Sequence, residues 1–129
     1  MPLLKFDLIK GRTKDEVKTL LDSAHRAMAE AFNVPTTDRY QSVTQHSEEE
    51  LILEDTGLNY NRTKDVVLLT VVSRQRTQIQ KVKFYELLAK NLKNDCNLNS
   101  EDLIVSIIEN GDSDWSFGKG QAQFITKEL

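Results

Sequence analysis

Two arginines, one aspartate and one proline carry most of the chemistry that this sequence offers. Arg74 and Arg76 flank Gln75. In an extended chain, residues two apart project to the same side. Two guanidiniums on one side make a fork for a carboxylate, with bidentate geometry available. The same pair reads equally as a solvated strand end, or as partners for the acidic 48–55 loop. Asp38 lies between a helical pattern and a strand pattern, where an aspartate commonly serves as a turn former. Pro2 follows Met1, and aminopeptidases usually remove Met before so small a residue. Removal would leave a secondary amine whose ring fixes φ near −65°. A free α-amine titrates near pH ~8, so both protonation states are accessible around neutrality. Taken by position alone, Pro2 reads as a processing or anti-degradation feature. Trp115, Phe117 and Phe124 near the C-terminus suit core packing, a subunit interface or the apolar wall of a site.

The elements that must hold these residues follow from periodicity. Leu3 to Ile9 reads as a strand buried on both faces, ended by Gly11. Thr13-Lys-Asp-Glu16 fits a capping box. Val17, Leu20, Leu21, Ala24, Met28 and Phe32 then keep a 3.6-residue period, predicting a helix to about Phe32. His25 lies on the edge of that apolar face and reads as a packed, locally hydrogen-bonded histidine. Pro35 prevents the helix from continuing. Tyr40 to Gln45 alternates as a second strand. The stretch 47–61 is acidic and turn-rich, with a short edge strand expected at Leu51–Leu53. Val66 to Val72 reads as a central strand. Thr77 opens a second helix, with Ile79, Val82, Leu87, Leu88 and Leu92 predicted to face inward. Leu103 to Ile108 is the last strand, and 111–129 an irregular tail.

Composition removes several classes of function. At 129 residues the chain is read as one domain spanning 1–129, large enough for its own core. A net charge of −3 and the lack of a basic stripe with interleaved aromatics argue against nucleic acid. Lys5, Asp7, Lys10, Arg12, Lys14 and Asp15 near the start leave no signal peptide. No apolar run approaches the ~20 residues needed to span a membrane. Cys96 stands alone and reads as a packed or half-exposed thiol, and a cytoplasmic location is the simplest expectation. No metal-spaced His/Cys cluster and no Ser/His/Asp signature appears. Gly118-Lys-Gly120 lacks the strand-to-helix context of a phosphate loop. Neither a metal nor a cofactor is expected.

An internal repeat organises the whole. Arg12-Thr13 matches Arg76-Thr77, Asn33 matches Asn97, Asp38 matches Asp102 and Ser42 matches Ser106, all 64 residues apart. Asp102 is read as a turn former. The halves, about 1–47 and 66–110, are each β-α-β, with the joined strands parallel. The predicted fold is therefore α+β: a duplicated β-α-β unit forming a four-stranded, mainly parallel or mixed sheet with two helices on one face. The other face, expected to be apolar, has no element left to cover it, which predicts an oligomer.

Together, Pro2, the duplicated β-α-β and the Arg-x-Arg after the third main strand resemble the tautomerase superfamily. More narrowly the chain resembles the malonate semialdehyde decarboxylase group, essentially end to end. The segments that carry the likeness are Pro2-Leu-Leu-Lys-Phe-Asp-Leu-Ile, Asp38-Arg-Tyr-Gln, Leu53-Glu-Asp-Thr-Gly57, Ser73-Arg-Gln-Arg76 and Glu109-Asn-Gly-Asp-Ser-Asp-Trp-Ser-Phe117-Gly. The resemblance implies that Pro2 is the catalytic amine and Asp38 its acidic partner. It implies Arg74 and Arg76 as binders of a substrate carboxylate, and Trp115, Phe117, Phe124 and Leu129 as a hydrophobic wall. It further implies a homotrimer that needs no cofactor and acts on a small carboxylated oxo acid. Either decarboxylation of a 3-oxo acid or tautomerase/hydratase chemistry on 2-oxo acids would suit such a site. The similar cis-3-chloroacrylic acid dehalogenases use a histidine on the first helix and a glutamate in the tail. Ala29 and Trp115 stand nearest those places here, which disfavours dehalogenation.

Overall fold

The computed structural model describes all 129 residues, Met1–Leu129. Strand β1 (Leu3–Ile9) leads to helix α1 (Lys14–Phe32) and strand β2 (Tyr40–His46). After a long connection, β3 (Val67–Arg74), α2 (Gln78–Cys96) and β4 (Leu103–Asn110) repeat the pattern, and a single-turn helix α3 (Gln123–Thr126) lies near the end. Each long helix starts at a complete capping box, Thr13 with Glu16 and Thr77 with Gln80. Each stops at an asparagine in the left-handed region, Asn33 and Asn97, both at φ 53°. Asparagine tolerates that conformation better than most residues and so satisfies the helix end.

The strands run in the order β2-β1-β3-β4. Pairs β1–β2 and β3–β4 are parallel, and the central β1–β3 pair is antiparallel. The sheet is therefore mixed, with the two β-α-β units joined back to back. Both helices pack on one face, over Leu4, Phe6, Leu8, Leu69 and Val71, and bury Phe32, Phe84, Leu88 and Leu92 against them. No helix is long and apolar enough to cross a membrane.

The sheet register refines the repeat. Leu3 pairs with Tyr40, whereas Leu68 pairs with Ile104. Helices and outer strands keep the 64-residue offset, but β1 and β3 are offset by 65, because three residues, Gln75–Thr77, link β3 to α2 where four link β1 to α1. The counterpart of Leu8 is thus Ser73.

Several expectations are corrected. No strand forms at Leu51–Leu53; a 3-10 turn at Glu48–Glu50 leads into irregular chain, and Ile52 is exposed. Asp55 accepts the backbone N–H groups of Gly57, Asn59 and Tyr60, and that local loop replaces a ladder. Ile79 and Val82 face solvent, and Phe84 takes the inward position with Leu88 and Leu92. The tail contains a 3-10 turn at Asp112–Asp114 as well as α3. The second sheet face is mixed, not simply apolar. Leu3, Leu68, Val72 and Ile104 alternate there with Lys5, Thr70 and Ser106, and His46 Nε2 lies 2.7 Å from Asp7 Oδ1.

Candidate active site

One end of the sheet gathers the start of β1, the start of β2, the end of β3 and the tail. Pro2 is buried just ahead of β1, and Asp38 is buried two residues before β2. The loop carrying Asp38 is held from below. The Asp38 N–H donates to the Pro35 carbonyl at 3.0 Å. Buried His25 donates through Nε2 to the Thr36 carbonyl at 2.6 Å. Oδ2 of Asp38 is buried without a hydrogen-bond partner; what faces it, at 3.7 Å, is the amine of Met1. That amine stands one residue ahead of the Pro2 nitrogen, which is an amide while Met1 is attached.

A cavity of about 520 Å³ opens beside this pair, lined by Met1, Asp38, Tyr40, Phe117, Gln123 and Leu129. The tail builds its aromatic side as a stack. Trp115 lies parallel to Phe117 at 5.3 Å, Phe124 meets Phe117 edge-on at 5.5 Å, and Tyr40 contacts Phe117 at 5.6 Å. Trp115 is anchored by Nε1 donating to Asn110 Oδ1 at 2.7 Å. Gln123 ties the tail to itself, accepting from the Phe117 N–H and donating to the Gly118 carbonyl, both at 2.9 Å. Phe117 and Leu129 line the cavity directly, while Trp115 and Phe124 back it through Phe117.

The arginines do not form the simple fork expected from strand alternation. Arg74 closes β3, but the chain turns at Gln75 to enter α2, so Arg76 lies outside the strand. Arg74 stacks on the Phe124 ring at 3.8 Å and donates to Asp112 at 3.0 Å, not to the acidic 48–55 loop. Arg76 turns toward α1, with its guanidinium 5.1 Å from the Phe32 ring and Nε donating to Ser73 Oγ at 3.0 Å. Both line a neighbouring hollow of about 450 Å³ with Asn110 and Asp112.

Charge links the two spaces. Burial pushes the Met1 amine below the usual α-amine range; Asp38 opposes this, while Arg76 and then Arg74 add to it. Burial also lowers the Arg76 guanidinium from its usual value, with Arg74 adding and Asp38 opposing. An amine at this end of the sheet is therefore poised by one carboxylate and two guanidiniums. Such an arrangement suits proton transfer on, or electrostatic stabilisation of, a small anionic substrate. Sequence reasoning overlooked Tyr40, Ser73, Asp112 and Gln123. Only Ser73 left a signal, a hydroxyl where the strand pattern asks for a core residue.

A family model described as tautomerase enzyme matches residues 38–118, and a second of that description matches residues 2–61. The chain belongs to the tautomerase family and is an enzyme of that superfamily. It is 56% identical, over 100% of both chains, to the probable tautomerase YrdN of Bacillus subtilis. Among solved structures it is similar to malonate semialdehyde decarboxylase, studied for decarboxylase and hydratase activities, at 57% identity, TM-score 0.97 and 98% coverage of both chains. A second malonate semialdehyde decarboxylase structure, inhibited by 3-bromopropiolate, matches at 33% identity and TM-score 0.94, covering 98% of this chain and 97% of that one.

Proposed function

We propose that the chain, once Met1 is removed, decarboxylates malonate semialdehyde to acetaldehyde and CO2 through the Pro2 amine. What carries this reading is the end-to-end likeness to malonate semialdehyde decarboxylase, joined to a buried Asp38 carboxylate whose Oδ2 has no hydrogen-bond partner and whose one charged neighbour, at 3.7 Å, is the Met1 amine one residue ahead of the Pro2 nitrogen. In the proposed reaction Arg74 and Arg76 hold the substrate carboxylate, Arg74 exchanging Asp112 for it. The Pro2 ammonium donates to the aldehyde oxygen. The bond between the carboxylate carbon and C2 breaks, its electron pair passes into the enolate, and the ammonium stabilises that oxygen. The enolate carbon then takes a proton from solvent water, which gives acetaldehyde and leaves the ammonium in place. Neutral Pro2 could instead condense with the aldehyde, the iminium then serving as electron sink. The aromatic stack of Trp115, Phe117 and Phe124, with Leu129, favours the neutral CO2-like state over the carboxylate. Asp38 orients the amine or an incoming water.

A second reading, tautomerase chemistry on 2-oxo acids such as phenylpyruvate, is favoured by the probable tautomerase relative at 56% identity. The uncovered sheet face, with Ile108 and Tyr40 exposed on it, supports assembly as an oligomer, for which the resemblance implies a homotrimer.

Intact mass followed by incubation with malonate semialdehyde tests the proposal. A mass lacking Met1, with acetaldehyde and CO2 released, is expected. The same mass with ketonisation of phenylenolpyruvate and no decarboxylation moves the assignment to the second reading. Retained Met1, with no activity after its removal either, would overturn both.

A further inference from the structure

We propose that Ser73 is a positioning residue that sets the Arg76 guanidinium in the site, an inference that rests on the carboxylate-binding role proposed for Arg76. Ser73 is completely buried, on the helix-covered face of β3. Its counterpart in the first half is Leu8, also completely buried. A hydroxyl at a core position costs stability unless its hydrogen bonds are made. Here both are, and their directions are forced. The single hydroxyl proton goes to the Arg74 carbonyl, at 2.8 Å. A lone pair is then left pointing at Nε of Arg76, 3.0 Å away.

The rest of Arg76 is fixed around that contact. Its backbone N–H donates to Glu109 Oε2 at 3.0 Å, and Glu109 also pairs with Lys81. Nη1 reaches the Phe32 carbonyl at 3.5 Å, and the guanidinium lies over the Phe32 ring. Ser73 is the only one of these partners whose side chain meets Nε, so it sets the rotation of the guanidinium plane. Arg12, the repeat counterpart of Arg76, has no such partner and donates instead to the Asp65 carbonyl at 2.6 Å. Arg74 is held by exposed Asp112 and can exchange it for a substrate. One arginine is thus built into the frame and the other is free to close.

The experiment compares the Met1-processed wild type with Ser73→Ala, Ser73→Thr and Arg76→Ala, using malonate semialdehyde and phenylenolpyruvate as carboxylated probes. Ser73→Ala removes one charge-assisted hydrogen bond, so kcat/KM is expected to fall roughly tenfold, mostly through KM. Ser73→Thr restores the hydroxyl and most of the KM. The basic limb of the pH profile in Ser73→Ala should shift as Arg76 loses its fixed distance from the amine. Asp38, Arg74, Glu128 and the C-terminal carboxylate are the other charged groups around that amine or its cavity, and all are unchanged in this variant. Thermal melting of Ser73→Ala reports separately on the fold. A lowered melting point with unchanged KM and pH profile overturns the proposal. So does a fully active Ser73→Ala beside an inactive Arg76→Ala. A fully active Arg76→Ala overturns the carboxylate-binding reading itself, so the two failures are distinguishable.

Discussion

Asp38 and Asp102 occupy the same place in the two halves of the molecule and have opposite fates. Each follows a left-handed asparagine at a helix end, and each N–H closes the same turn, to Pro35 at 3.0 Å and to Asn99 at 2.9 Å. Each is buried. Asp102 is more than the turn former expected of it. Its carboxylate accepts from the Thr63 backbone N–H at 2.6 Å and from the Thr63 hydroxyl at 2.7 Å, clasping the segment that leads into β3. By the 65-residue offset Met1 and Pro2 correspond to Val66 and Val67, and no residue of the first half corresponds to Thr63; Asp38 therefore faces an amine where Asp102 faces a structural clasp. A buried carboxylate without a full set of hydrogen bonds is costly, and such costs concentrate at functional positions. Duplication supplied two equivalent sheet ends. One is closed by hydrogen bonds, and the other keeps a carboxylate oxygen without a hydrogen bond next to a titratable amine.

The sharpest way to break this comparison is to substitute both aspartates. Asp38→Asn should lower kcat by roughly two orders of magnitude, the scale of a misplaced catalytic group, with stability unchanged or slightly raised. Asp102→Ala should do the reverse. It leaves the Thr63 N–H and hydroxyl unpaired, costing about 2 kcal/mol in urea denaturation, while kcat per folded molecule holds. If both variants lost stability alone, Asp38 would be structural and the proposed site would lose the carboxylate that orients its amine. If both lost activity alone, the division between the halves would be wrong.

Leu8 and Ser73 extend the contrast into the core. Leu8 is fully buried within the hydrophobic core. Leu8→Ala should therefore cost about 3 kcal/mol through lost burial and a cavity, with KM unchanged. Equal effects on KM from Leu8→Ala and Ser73→Ala would mean that any disturbance of this layer disturbs the site, and Ser73 would have no special part.

What the sequence made legible, and what it did not, divides along the same line. Local rules wrote the helices twice over, in two capping boxes and two terminal asparagines, so their bounds and the 64-residue repeat could be read directly. Asp38, Arg74 and Arg76 stood out by residue type. The rest depended on long-range geometry that spacing does not encode. The antiparallel joining of the halves and the one-residue slip between β1 and β3 appear only in the register. The divergence of Arg74 and Arg76 follows from where β3 ends, a single residue that periodicity does not resolve. Ile79 and Val82 fitted an inward helical stripe but lie in the first turns of α2, with Phe84 beyond them holding the core contact. Tyr40 and Gln123 became part of the site because the tail folds back on β2, a contact with no local signature.

The smallest effect is also the one that isolates the electrostatics. Arg76 and Arg12 are repeat counterparts, but only Arg76 acts on the N-terminal amine. A nearby positive charge disfavours an ammonium, so Arg76→Gln should let the Pro2 amine of the processed chain hold its proton to higher pH, by less than about one unit. Asp38→Asn removes the favourable charge and should move the same titration downward. Arg12→Gln, at the far end of the sheet, should leave it in place. Following the Pro2 nitrogen by NMR across pH 5 to 10 reads the amine itself, so the comparison survives even if a variant turns over no substrate. A downward shift in Arg76→Gln would mean that lost burial or lost order outweighs lost charge. An equal shift in Arg12→Gln would mean that the titration reports the net charge of the chain, and that the two ends of the sheet are not electrostatically distinct.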